Sequence, residues 1–548
     1  MAVKRVTLAL DVWQSLLHMR WQFRDLTFWQ LQVHTNTPIQ TNDGGESLKT
    51  DRISDLFLRQ FDHFTLRDSH LSFLTISGQR AELAVPQLTW LNGRNRHRAE
   101  GQLSLSSLTG QHGVMQVRMD LRDEDGLLNK GRVWLQADDI DVKPWLGRWM
   151  QDNIALKSAR FSLEGWMTIE KGDVASGDVW LKKGGASWQG DSEVHHLSVD
   201  NLTAHLSHDK QSWGFYIPDT RIAIDDKPWP SGALAMAWIP VQDVGGDGHQ
   251  RSDELRIRAS NLTLSGLSGL QPFADKLAPS LGELWRTTQP SGKINLLALD
   301  IPLQATEKTR FQAQWSDLAW KQWKLLPGAE HFSGSLNGSV EHGELRARMT
   351  QALMPYTGVF RAPLEIAAGE ATLSWVKNDK GFMLDGRDID VQATGVRARG
   401  GFRYLQPQGD DPWLGILAGI STNDGGQAWR YFPENLMGKA LVDYLSGAIK
   451  AGQARDATLV YGGNPHLFPY PHNEGQFQVY VPLKNATFAF QPDWPALTGL
   501  NIDLNFINNG LWMRADKAML GNVTASNLDA AIPDYAQEKL LIDADIKG

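Results

Sequence analysis

The chain is 548 residues long, enough for three or four domains at about 150 residues each. With 42% apolar and 21% charged residues it is a folded chain rather than a disordered one. Lys and Arg number 54 against 62 Asp and Glu, a net charge of -8, so the basic excess that phosphate binding needs is missing and no nucleic acid is expected as a partner. There is no cysteine, which removes disulfides, Cys-ligated zinc, iron–sulfur clusters and thiol nucleophiles together. Trp is abundant at 22 and Gly at 51, and the glycines are scattered, a composition of many short strands joined by turns.

Taken in chain order, VKRVTLALD reads as an opening strand, with no charged and apolar leader ahead of it. No run of 18 apolar residues occurs anywhere. Period-2 alternation then recurs. It places Met115, Val117 and Met119 on one face, as it does Val133 and Leu135 in GRVWLQA. ARFSLEGWMTIE sets Phe161, Leu163, Met167 and Ile169 against Ser162, Glu164 and Thr168, and gives Trp166 the outward parity. GQFQVYVPLKNATFAF sets Phe477, Val479, Val481 and Leu483 against Gln476, Gln478 and Lys484, and continues through Phe488 and Phe490. LNIDLNF gives Ile502, Leu504 and Phe506, and LLIDADI closes the chain in the same manner. One apolar and one wet face is the pattern of antiparallel sheet.

Asp125-Gly126, Asn337-Gly338, His342-Gly343, Asp385-Gly386 and Asn509-Gly510 read as hairpin turns. Helical spacing is confined to three insertions, 138–153, 266–288 and 425–452. In the last, Leu436, Leu441, Tyr444, Leu445 and Ile449 make a stripe and Gly452 a stop. No linker separates domains, so 1–548 is expected to be one continuous, elongated and curved antiparallel β structure, a repeated groove with few helices.

Chemistry motifs are missing. HExxH, GxxxxGK[ST], GxSxG and GxGxxG do not occur, and Asp120 to Gly126 fails as a calcium loop because Leu121 takes its first ligand position. His195 and His196 are adjacent on a strand and so point to opposite faces, which rules out a shared metal. No catalytic residue, metal or cofactor is expected.

The segment Tyr431 to Asp534 resembles AsmA-like proteins of the Gram-negative envelope. The resemblance is carried by the amphipathic helix ending in Ala448 to Gly452, the Phe468 to Tyr470 loop before a glycine-led strand, and the QPDWPALTGL turn from Gln491 to Leu500. DIDVKPWLGRWMQDNIAL and ARFSLEGWMTIEKGDV extend it upstream, so that it covers essentially the whole chain. It implies a bridge-like lipid-transfer protein, of which this chain is an N-terminal part without its inner-membrane anchor and without its C-terminal remainder. It further implies phospholipids as cargo, the inner and outer membranes as the two ends of the path, a periplasmic location, and no cofactor or hydrolysis. The inward residues Met115, Val117, Met119, Val133, Leu135, Phe161, Leu163, Met167, Ile169, Phe477, Val479, Val481, Leu483, Phe488, Phe490, Ile502, Leu504 and Phe506 would then line a groove. Alternation alone leaves a filled sandwich core open, because it produces the same pattern. A structural or adhesin-like β-scaffold that binds protein or glycan through its Trp residues is the other function open at this point.

Overall fold

The computed structural model describes residues 2–38, 55–74, 80–104, 113–143, 155–190, 192–209, 212–229, 232–240, 253–272, 275, 279–324, 326–537 and 539–547. Thirty strands run through them with a handful of short helical segments, so the fold is mainly β as the alternation predicts. The chain divides into two compact units, Met1–Gly282 with Asp300–Gln304 and Glu283–Leu299 with Ala305–Gly548.

In the first unit, Phe23–Trp29 and Gln32–Pro38 run parallel to His63–Leu74, a departure from the antiparallel rule. From His63–Leu74 through Arg80–Asn92, Arg96–Ser104, Val114–Arg122, Lys130–Asp141, Leu156–Glu170, Asp173–Gln189 and Val194–Asp209, each strand pairs antiparallel with the next. The second unit repeats this up-and-down order from Arg310–Trp320 to Leu541–Lys547. Along both runs, neighbours in sequence are neighbours in the sheet.

Strict alternation is broken at several points, and five of them share one chemistry. Asp139, Asp317, Asp388, Asn485 and Asn527 have φ of 48, 57, 51, 50 and 49° and sit where the pairing register slips. Asp and Asn tolerate this left-handed conformation better than other side-chain-bearing residues. Each is a β-bulge, and each moves the apolar phase by one: Ala137 is followed by Ile140, Trp315 by Leu318, Leu483 by Ala486 and Ala525 by Leu528. Without the extra residue, everything beyond it would turn to the wrong face. The bulge amides are satisfied from the next strand. Asp139 donates to Ser162 Oγ at 2.9 Å, Asp317 to Ser333 Oγ at 3.1 Å and Asn485 to Asn501 Oδ1 at 3.2 Å.

The turns and helices differ in detail from expectation. Asp125-Gly126 lies at a hairpin tip, and Asn509-Gly510 leads into the strand Gly510–Leu520. Asn337-Gly338, His342-Gly343 and Asp385-Gly386 lie inside strands. Gly386 is there for space, since a Cβ would come within 2.2 Å of the Phe402 ring. Asp138–Asp141 finish the strand Lys130–Asp141, and 144–153 of that expected helix falls outside the described residues. In 266–288, a 3-10 turn covers Leu264–Leu270 and a helix covers Pro279–Thr288. Pro279 starts this helix rather than breaking it, as its fixed φ and missing N–H allow. In 425–452 the helix is split at Gly438, whose φ of 84° no helix accepts, into Glu434–Met437 and Lys439–Ala448. Leu436 is exposed rather than on the stripe, and Gly452 belongs to the strand Ile449–Gly463 rather than stopping the helix.

Asn485→Val is expected to destabilise the second unit by about 1–2 kcal/mol, since a β-branched residue resists positive φ. Asn485→Gly should stay within about 0.5 kcal/mol of the parent. Equal denaturation midpoints for the Val and Gly variants would contradict the bulge assignment.

Candidate functional site

In an antiparallel pair, directly opposed residues share a face, so the pairing register shows which side chains stand together. Across Arg96–Ser104, Val114–Arg122, Lys130–Asp141 and Leu156–Glu170, one face carries the rows Ala99–Met119–Val133–Met167, Gly101–Val117–Leu135–Gly165 and Leu103–Met115–Ala137–Leu163. The last two rows continue through Val179 and Leu181 to Ala204 and Leu202. The other face carries Arg96–Arg122–Lys130–Glu170, Arg98–Asp120–Arg132–Thr168, Glu100–Arg118–Trp134–Trp166 and Gln102–Gln116–Gln136–Glu164. The second unit is built alike. Leu384 faces Tyr404, which faces Leu414, and Ile416 faces Tyr461, which faces Phe477; Leu459 faces Val479, which faces Phe506.

The two faces differ in kind. Ion pairs knit the polar one: Arg118 to Glu100 at 2.9 Å, Arg403 to Asp385 at 2.6 Å, and Arg397 and Arg399 to Asp390 at 2.8 and 3.0 Å. The hydrogen bond from Arg397, helped by Arg399, lowers the pKa of the Asp390 carboxyl to about 2.

The apolar face is filled in some places and half-open in others. Phe382, Leu384, Phe402, Tyr404, Leu414, Ile416, Leu459, Tyr461, Phe477 and Val479 are all half-buried. A second packed layer would have buried them, as it does in a sandwich. Met119, Val133, Leu135, Phe161, Leu163, Met167, Ile169 and Val481 are half-buried too. Met115, Val117, Leu483, Phe488, Phe490, Ile502, Leu504 and Phe506 are buried, Phe488 completely. The expected lining residues therefore fall into an open set and a closed set. The register brings the 115–169 members together in the first unit and the 477–506 members together in the second.

The closed set in the second unit shares one core with the helix Lys439–Ala448. Leu441, Leu445 and Ala448 pack with Phe488, Leu500 and Ile502, and the Tyr444 ring meets Phe488 edge-on at 6.5 Å. Arg361 holds the helical pair from outside, reaching Glu434 at 2.5 Å and Asp443 at 2.6 Å. The Phe468–Tyr470 loop folds onto the strand ends, with Phe468 stacked on Tyr461 at 6.0 Å. The Tyr444 hydroxyl is buried without a hydrogen-bond partner, and desolvation pushes its pKa up to about 12.

Two features go beyond the simple alternation of the sequence. The bulges are signalled by apolar residues three apart around an Asp or Asn. The ordered cation–aromatic rows of the polar face have no one-dimensional signal, because they need four strands in register.

Tyr444→Phe should raise stability by about 1 kcal/mol in chemical denaturation, since it deletes an unpaired buried hydroxyl; a loss would mean that the hydroxyl is engaged. Because Asp390 titrates lower in the folded state, its ion pairs stabilise at pH values above its ordinary 3.8 and lose that effect as pH falls towards 2. Arg397→Ala should move the Asp390 carboxyl up towards 3.8 and reduce this acid dependence, read by carboxyl NMR titration.

Comparison with known proteins gives one answer. The family model described as YhdP protein matches residues 1–548. A relative from Escherichia coli (strain K12), named intermembrane phospholipid transporter YhdP, is 76% identical over 547 residues. The alignment takes in all of this chain and 43% of that relative, so the chain spans less than half of the relative's length. No solved structure matches.

Proposed function

Because this chain belongs to the YhdP family, we propose that it forms part of a phospholipid conduit of the Gram-negative envelope, with acyl chains carried on the apolar face of each unit. One observation supports this above the others: an apolar face continuous in register over many strands and left half-open rather than covered. The name of the Escherichia coli relative points the same way.

The physical need is large. Exposing one phospholipid to water uncovers about 30 methylene groups at about 0.8 kcal/mol each, a cost on the order of 20 kcal/mol. An apolar surface offered along the whole path removes most of that cost while head groups remain hydrated. Acyl chains need contact without directional bonds, so the surface can be built from any branched, aromatic or thioether side chain. Met119 and Met167 suit a changing cargo, being unbranched and polarisable. The path would run between inner and outer membrane through the periplasm, and it needs no catalytic side chain. Among the described residues no helix is long and apolar enough to cross a membrane. In this reading the half-buried set, including Leu163, Met167, Val479 and Val481, meets lipid first. The buried set that shares a core with the helix Lys439–Ala448 is closed to lipid in this arrangement.

The test is site-specific photo-crosslinking with benzophenone side chains. Labelling of phospholipid is expected from Leu163 and Val479 and not from their outward neighbours Glu164 and Gln478. Leu163→Asp should stop transfer, because a carboxylate there costs several kcal/mol to desolvate and draws in water, whereas Leu163→Ala should be tolerated. Equal labelling from inward and outward positions would remove the assignment and leave the β fold standing.

A further inference from the structure

The polar face of the first unit is not a uniform solvated surface. In the four-strand grid around Asp120 and Trp134, six cations stand against four carboxylates, in a chain whose net charge is -8. Arg96 grips Asp120, Arg118 pairs with Glu100, and Lys130 pairs with Glu124 of the adjoining hairpin. Arg122 and Arg132 form no ion pair among the described residues and remain available to an incoming anion.

Beside them stands an aromatic platform. Trp166 is 52% exposed and Trp180 43% exposed, on adjacent strands and diagonal to each other. Trp134, directly opposite Trp166 on the next strand, is buried beside it. Its ring is 6.1 Å from that of Trp166, the Arg118 guanidinium lies 5.1 Å above it, and its Nε1 donates to Glu164 at 3.1 Å. Lys182 anchors Glu164 in turn at 2.9 Å. A row of three neutral amides, Gln102, Gln116 and Gln136, flanks the rings. Arg118, Arg122, Arg132, Trp134 and Trp166 line a shallow cavity of about 670 Å³ together with Asp120, Glu124 and Glu164, whose carboxylates are already held by Arg96, Lys130 and Lys182.

Exposed indole faces, fixed amides and unpaired guanidinium groups suit one ligand class. We propose that this face binds a linear glycan carrying carboxylates. Sugar rings would stack on Trp166 and Trp180, hydroxyl and N-acetyl groups would bond to the glutamines, and carboxylates would meet Arg122 and Arg132. Arg122, Arg132, Trp166 and Trp180 lie on one diagonal of four adjacent strands, each one row further along than the last, so a ligand running obliquely to the strands reaches all four. The site is on the face opposite Leu163 and Met167, so it stands apart from the lipid reading.

The test uses the whole chain and three probes: purified peptidoglycan sacculi, which carry carboxylates; chitohexaose, a neutral N-acetylated glycan; and phosphatidylglycerol vesicles. Binding is expected to sacculi and, more weakly, to chitohexaose. Trp166→Ala should weaken both at least tenfold. Arg132→Gln should weaken sacculus binding and spare chitohexaose. Trp512→Ala, which removes an exposed indole of the second unit, should change neither. Circular dichroism of each variant separates loss of binding from loss of fold. No binding to either glycan, equal losses with Trp512→Ala, or binding confined to the vesicles would overturn the proposal.

Discussion

The structure depends on the antiparallel pairing register. Directly opposed residues share a face, so once two strands are aligned their apolar and polar sets either coincide or conflict over the full length. In this chain they coincide from strand to strand: Ala99 with Met119, Val133 and Met167 on one side, Arg98 with Asp120 and Arg132 on the other. A slip of one residue would put arginines onto the apolar face and indoles into the wrong row. The cost of burying those charges makes the register stringent without any single strong contact.

The bulges at Asp139, Asp317, Asp388, Asn485 and Asn527 are part of the same constraint. Long strands twist, and an extra residue bends them and re-aims the side chains beyond it. The extra residue would invert the faces if the apolar pattern did not skip in step with it. The neighbouring Ser162, Ser333 and Asn501 accept from the freed amides at three of these bends, so those donors are not left unpaired. A repeated sheet of this kind can be lengthened strand by strand, because each addition needs only its neighbour's register.

The cover over the apolar face varies along the chain. Phe382, Leu384, Phe402, Tyr404, Leu414, Ile416, Leu459, Tyr461, Phe477 and Val479 remain half-buried, whereas Phe488 and Leu500, in one core with the helix Lys439–Ala448, are sealed completely. The apolar surface is thus partly a packed core and partly an accessible one, built from the same residue types. Apolar side chains with no second layer are an aggregation hazard in water, which explains why the opposite face is so heavily charged and cross-linked by ion pairs.

Much of this was legible in the sequence. Alternation in ARFSLEGWMTIE and LNIDLNF determined strand type and which residues share a face, because the period of two is a property of the backbone and not of the fold. The missing catalytic motifs and the whole-chain resemblance pointed towards transport, and the family match agrees with that resemblance. Turn positions were less legible: Asp385-Gly386 has the composition of a hairpin and serves as space under Phe402, a contact made from another strand. Only the tertiary structure decided whether Leu163 is half-open while Ile502 is sealed, since both have the same local pattern and differ in what packs above them. Only it assembled Arg132, Trp134 and Trp166 into one surface, because residues on separate strands become neighbours through register, which no single strand encodes.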